Sequence, residues 1–79
     1  MAEDGVTLCE RIRALREDRD LRQLDLARHL KCTQVCYSHY ERGTREIPIS
    51  VLCQLADFYE TSTDYLLGRT NIPIAYPEK

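Results

Sequence analysis

Apolar positions recur along this chain in helical steps, interrupted by polar corners at short intervals. Leu8, Ile12 and Leu15 form a first stripe that continues to Leu21, with Arg11, Arg13, Arg16 and Glu17 filling the other faces. Thr7 opens the run and Glu10 follows three residues on, the pattern of a capping box. The cluster Glu17-Asp18-Arg19-Asp20 ends this helix near residue 19. Leu26, Ala27, Leu30 and Cys32 make a second apolar set and predict a short helix over about 23–30. Tyr37 and Tyr40 continue it after a corner and predict a third helix over about 34–41, with Thr33 as its N-cap and Gly43 as a left-handed residue closing it. Pro48 suits the first turn of a fourth helix, about 48–59, where its missing N–H costs nothing. The core face of that helix is Val51, Leu52, Leu55, Ala56 and Tyr59. Ser62 or Thr63 caps a fifth, over about 63–67, and Gly68 stops it.

The predicted architecture is all-α, with one compact five-helix domain over residues 1–68, of which 1–6 are expected to be loose. Residues 69–79 differ. Pro73 and Pro77 bar a helix, while Ile72, Ile74 and Tyr76 alternate as in an extended arm. The arm is either disordered or packed on a neighbouring surface such as a dimer partner.

The second and third helices carry the functional signal. A helix crossing close over another needs a small side chain at the crossing, and Ala27 supplies it. Two short helices joined by such a corner are the helix-turn-helix of DNA-binding proteins. With Tyr37 and Tyr40 turned to the core, the outward residues of the third helix are Gln34, Val35, Ser38 and His39. Gln34 can pair with the N6 and N7 edge of adenine, Val35 can pack on a thymine methyl, and Ser38 or His39 can bond a groove edge or a phosphate. A solvated surface histidine is the alternative for His39. The N-terminus of the second helix, at Arg22 and Gln23, points free N–H groups and partial positive charge at phosphate. Arg42, Gly43, Thr44 and Arg45 are placed to grip a second stretch of backbone.

Charge changes this picture little in total and much in distribution. The chain carries −2 overall, but residues 22–45 carry +3 against −2 before them and −3 after. Without the motif, that would be an ordinary solvated face. Four cysteines raise the question of metal, yet they do not form the two close pairs of a zinc site. Cys32 and Cys53 stand where aliphatic core residues are expected, so buried or half-buried thiols are the expectation, ahead of redox sensing and of metal binding. No apolar run approaches membrane length and no leader opens the chain, so a soluble cytoplasmic protein is expected. At 79 residues the core is small, and dimerisation would help.

Four pieces in this order resemble the Xre/Cro/lambda-repressor-like family of helix-turn-helix regulators. They are Arg11-Ile12-Arg13-Ala14-Leu15-Arg16, then Leu21-Arg22-Gln23 with Leu26-Ala27, then Tyr40-Glu41-Arg42-Gly43, then Leu55-Ala56-Asp57-Phe58-Tyr59 with Asp64-Tyr65-Leu66-Leu67-Gly68. The resemblance covers residues 8–68. It implies base reading by Gln34, Val35, Ser38 and His39, a phosphate clamp at Gln23, and an ion pair between Arg16 and Glu41 that ties the first helix to the end of the third. The chain departs from the family in two places. Arg22 replaces the usual Thr or Ser, removing a capping hydroxyl, and Lys31 replaces the usual Gly. Lys31 must therefore take a left-handed or otherwise strained corner, at about 1 kcal/mol.

The expected function is a sequence-specific transcriptional regulator, a repressor, binding double-stranded DNA in the major groove as a homodimer on a palindromic operator. No cofactor, metal or small-molecule ligand is called for. The competing reading is a protein-interaction module of the same fold, antitoxin-like or adaptor. Catalysis is the weakest class: Cys36 and His39 sit three apart with no orienting third group.

Overall fold

The computed structural model describes residues 7–75. They form five helices: α1 (Leu8–Asp18), α2 (Gln23–Leu30), α3 (Gln34–Arg42), α4 (Ile49–Phe58) and α5 (Thr63–Leu66), with no strand among the described residues. Thr7 caps α1 in a complete capping box with Glu10. Thr33 Oγ1 accepts from the Cys36 N–H at 3.0 Å at the start of α3, and Ser62 Oγ accepts from Tyr65 N–H at 3.0 Å at the start of α5. Pro48 is the N-cap of α4. Without a capping hydroxyl, α2 is held from the other side: the Asp25 carboxylate accepts the Arg22 backbone N–H at 2.8 Å.

The helices all end alike. Each is followed by a residue with positive φ, namely Asp20 (55°), Lys31 (60°), Gly43 (75°), Glu60 (53°) and Gly68 (79°). The next residue's N–H then reaches back five positions: Leu21 to Arg16, Cys32 to Ala27, Thr44 to His39, Thr61 to Ala56 and Arg69 to Asp64, all at 2.8–3.1 Å. This is the Schellman arrangement, which satisfies carbonyls a helix end would otherwise orphan. Three of the five positions hold a side chain in the left-handed region, the strained corner expected at Lys31 among them.

The core is Ile12, Leu26, Ala27, Leu30, Tyr37, Tyr40, Leu55, Ala56, Tyr59 and Leu66. α3 packs on α1 and α2, and α5 packs on α1 and α4. Leu8, Leu15 and Leu21 are half-buried around this centre. Cys32 is half-buried as expected, but Cys53 is exposed, against the expectation of a core position. The inward residues of α4 are Leu55 and Ala56, and Cys53 falls about 110° round the helix from the midpoint between them, on the flank of the buried face.

Arg11 and Arg19 each lie over a tyrosine ring, Arg19 while it stays exposed. Arg11 is half-buried, with its guanidinium 4.1 Å from the centre of the Tyr65 ring. Arg19 bonds the Tyr59 carbonyl at 3.3 Å and lies over the same residue's ring at 5.2 Å. Arg13 does stay exposed, paired with Glu17 at 3.2 Å. Of the extended arm, Arg69–Ala75 is described and carries no helix, with Ile72 and Ile74 exposed. Tyr76 and residues 1–6 lie outside the described residues.

Candidate nucleic-acid interface

α3 buries Tyr37, Tyr40 and Glu41 and leaves Gln34 and Val35 exposed, Val35 at 67%. Those two, with Ser38 and Arg42 of the same helix and Gln23 of α2, line an open groove of about 240 Å³. Gln34, Ser38 and Arg42 are spaced four apart, so one ridge of the helix carries all three. The groove thus joins three of the residues expected to read bases to two expected to hold phosphate.

Beneath the groove lies a small ionic cluster. Arg16 Nε and Nη2 donate to Glu41 Oε2 and Oε1 at 2.6 and 3.1 Å, a bidentate pair, and Arg16 Nη1 bonds the Leu21 carbonyl at 2.8 Å. The side chain of Glu41 is 3% exposed and that of Arg16 13%. Burial pushes the Glu41 carboxyl up, but the hydrogen bonds from the Arg16 guanidinium and the Gln23 amide help outweigh it and hold the acid below its ordinary value. Burial raises the Tyr37 hydroxyl in turn. Gln23 Nε2 donates to Glu41 Oε1 at 3.0 Å, and a primary amide has a second N–H to offer outward. Spacing gave no sign of this link: Gln23 and Glu41 are eighteen residues apart and meet only once α2 lies on α3.

The cations divide. Arg22 is exposed and paired with Asp25 at 3.1 Å, which offsets its charge until an anion competes. Arg42 reaches from the groove to His39, its Nη2 3.3 Å from Nδ1. Thr44 Oγ1 is 2.6 Å from the same nitrogen. The Thr44 hydroxyl donates to the His39 carbonyl at 3.4 Å, so Thr44 grips both the ring and the backbone of His39. His39 is half-buried and absent from the groove lining, which separates it from Gln34, Val35 and Ser38. Arg45 Nη1 donates to Cys36 Sγ at 3.3 Å, another contact that sequence spacing did not announce. A Cβ at Gly43 would come within 3.2 Å of Cys9 Sγ, in a backbone conformation that already favours glycine. Among the described residues no group of three or more His, Cys, Asp or Glu could hold a metal, and no helix is long and apolar enough to cross a membrane.

A family model described as a helix-turn-helix domain matches residues 7–67. The chain belongs to the helix-turn-helix family. This helix-turn-helix chain is 35% identical over 65 residues to the uncharacterized HTH-type transcriptional regulator YobD of Bacillus subtilis (strain 168), covering 82% of the chain and 58% of that protein. It is 31% identical over 67 residues to the HTH-type transcriptional regulator ImmR of the same organism, covering 85% of the chain and 53% of that protein. It therefore spans little more than half the length of these curated relatives. Among solved structures, a transcriptional regulator from Listeria innocua shares the fold at TM-score 0.76 and 22% identity, over 92% of this chain and 62% of that one. The P22 c2 repressor protein, solved in complex with a synthetic operator, matches at TM-score 0.73 and 33% identity, over 80% of this chain and 96% of that one. The five-helix fold is the lambda-repressor-like one, with α2 and α3 as its helix-turn-helix, and family membership sets the enzyme reading aside.

Proposed function

We propose that this chain is the DNA-binding domain of a cytoplasmic transcriptional repressor that binds a palindromic operator as a homodimer. The observation that carries the reading is the exposed ridge of α3, where Gln34, Val35 and Ser38 share one open groove with Gln23 and Arg42. Gln34, Val35 and Ser38 meet base edges, and His39 bonds a groove edge or a phosphate. Arg22 and Gln23 on one side, and Arg42, Gly43, Thr44 and Arg45 on the other, hold the backbone. The 33% identity to a repressor solved with an operator supports this reading. Exposed Ile49, Leu67, Ile72 and Ile74 support self-association, since large apolar side chains left in water favour being covered.

Selection of bound fragments from random-sequence DNA tests the whole reading. The expected outcome is an inverted repeat with half-sites about one helical turn, roughly 34–36 Å, apart. Affinity should fall steeply with salt as condensed counterions are released. Recovery of unrelated sequences, or affinity indifferent to salt, would favour the protein-interaction module.

A further inference from the structure

The corner between α2 and α3 holds two thiols. Cys36 sits in the first turn of α3, its N–H fixed by Thr33 Oγ1 at 3.0 Å. Cys32 stands just before that cap, its N–H fixed by the Ala27 carbonyl at 3.0 Å. The backbone on both sides is thereby pinned, and the two half-buried cysteines stand four residues apart on either side of the Thr33 cap. Among the described residues Cys36 is the one cysteine to which a guanidinium donates, Arg45 Nη1 at 3.3 Å. The Tyr40 hydroxyl and then Arg45 pull the Cys36 thiol below its ordinary value, while burial pushes the Cys32 thiol up. A thiolate is the attacking species, and a neighbour that keeps its proton can resolve the product.

We propose that Cys36 and Cys32 form a hydroperoxide-reactive dithiol, with Cys36 attacking and Cys32 resolving. The Cys36 thiolate attacks one peroxide oxygen; the S–O bond forms, the O–O bond breaks, and the second oxygen leaves with a proton as water or an alcohol. The Cys32 sulfur then attacks the sulfenic acid. The S–S bond forms, the S–O bond breaks, and hydroxide leaves with the Cys32 proton as water. Two thiols lose two electrons and one hydroperoxide gains them. The disulfide ties the first turn of α3 to the corner, so the proposed recognition face changes with it; this regulatory part rests on the DNA-binding reading.

Trypsin cleaves after Lys31 and Arg42, which leaves both cysteines in one peptide, 32–42. After treatment of the reduced, folded chain with hydrogen peroxide, that peptide should be two hydrogens lighter, and dithiothreitol should restore it. Cys32→Ser should instead accumulate a sulfenic acid at Cys36 that dimedone captures, and Cys36→Ser should leave Cys32 reduced. An unchanged peptide, or oxidation equally fast at Cys9 and Cys53, overturns the dithiol. Binding to the selected operator is measured on the same samples. The oxidised wild type should lose affinity, and the Cys32→Ser/Cys36→Ser double variant should keep it in peroxide. A disulfide that leaves binding intact overturns the regulatory part. Reduced protein that binds no DNA refutes the functional reading, while the peptide masses still decide the dithiol.

Discussion

Glu41 is the residue on which most of the interior electrostatics converge. It accepts from Arg16 and Gln23 with a side chain 3% exposed. Removing one partner of such a pair strands the other, at about 3–5 kcal/mol. Arg16→Ala and Glu41→Ala should each destabilise the domain strongly, and the double variant should cost less than the sum; denaturant titration of all four proteins measures it. Acidity provides an independent check. Because the folded value of Glu41 lies below its unfolded one, near 4.5, its contribution is present above that pH and fades as pH falls through the folded value. Glu41→Gln should therefore flatten the loss of stability below pH 4.5. This pairing came to the sequence reading only through family resemblance, since residues twenty-five apart give no local signal. The arginine–tyrosine stacks of Arg11 and Arg19 were missed for the same reason: their partners, Tyr65 and Tyr59, lie fifty-four and forty residues away. Contacts such as Thr7 with Glu10, which close within a turn, were legible at once.

At the scale of elements, the helix ends hold the clearest handle on stability. Asp20, Lys31 and Glu60 occupy left-handed positions at the cost of a clash between Cβ and the following carbonyl. Lys31→Gly relieves that strain but loosens the unfolded chain. Strain of about 1 kcal/mol set against an entropic loss of about 0.4–1 kcal/mol leaves a net gain of at most about 0.6 kcal/mol, a small rise in melting temperature. Gly43→Ala runs the other way, since its Cβ meets Cys9 Sγ at 3.2 Å under a φ of 75°. It should lower the melting temperature. The helix starts were legible because caps are local chemistry, whereas the left-handed Lys31 came only through the family resemblance. The shared C-terminal motif was only half legible: glycine announces Gly43 and Gly68, whereas nothing in Asp20 or Glu60 as residue types does. Between elements, Ala27 is 1% exposed where α2 meets α3. Ala27→Leu should overpack that contact and cost about 1–3 kcal/mol, read as a lower denaturation midpoint with an unchanged slope.

For the whole molecule, a net charge of −2 conceals a basic middle third between acidic flanks. Long-range attraction to a polyanion is therefore weak and depends on orientation, and close contacts must supply most of the affinity. Arg45→Ala should shallow the slope of log affinity against log salt by about 0.9, equally on operator and random DNA. Gln34→Ala should cost about 1–3 kcal/mol on the selected operator and much less elsewhere. Equal losses on every sequence would mean that Gln34 bonds phosphate. Charge distribution and the exposure of Gln34 and Val35 were legible from the chain alone, whereas Ser38 and His39 are half-buried. The grouping of Arg42 with Gln34, Val35 and Ser38, and of His39 with Thr44, was not legible, because it depends on side-chain directions that only packing sets.

Gln23 hangs on the same carboxylate oxygen that Arg16 binds, which makes the proposed clamp a lever resting on the interior of the protein. An alanine scan scored by affinity would then count Arg16 and Glu41 among the contacts although both are turned inward. A map of the bound surface drawn from such a scan would be larger than the surface itself.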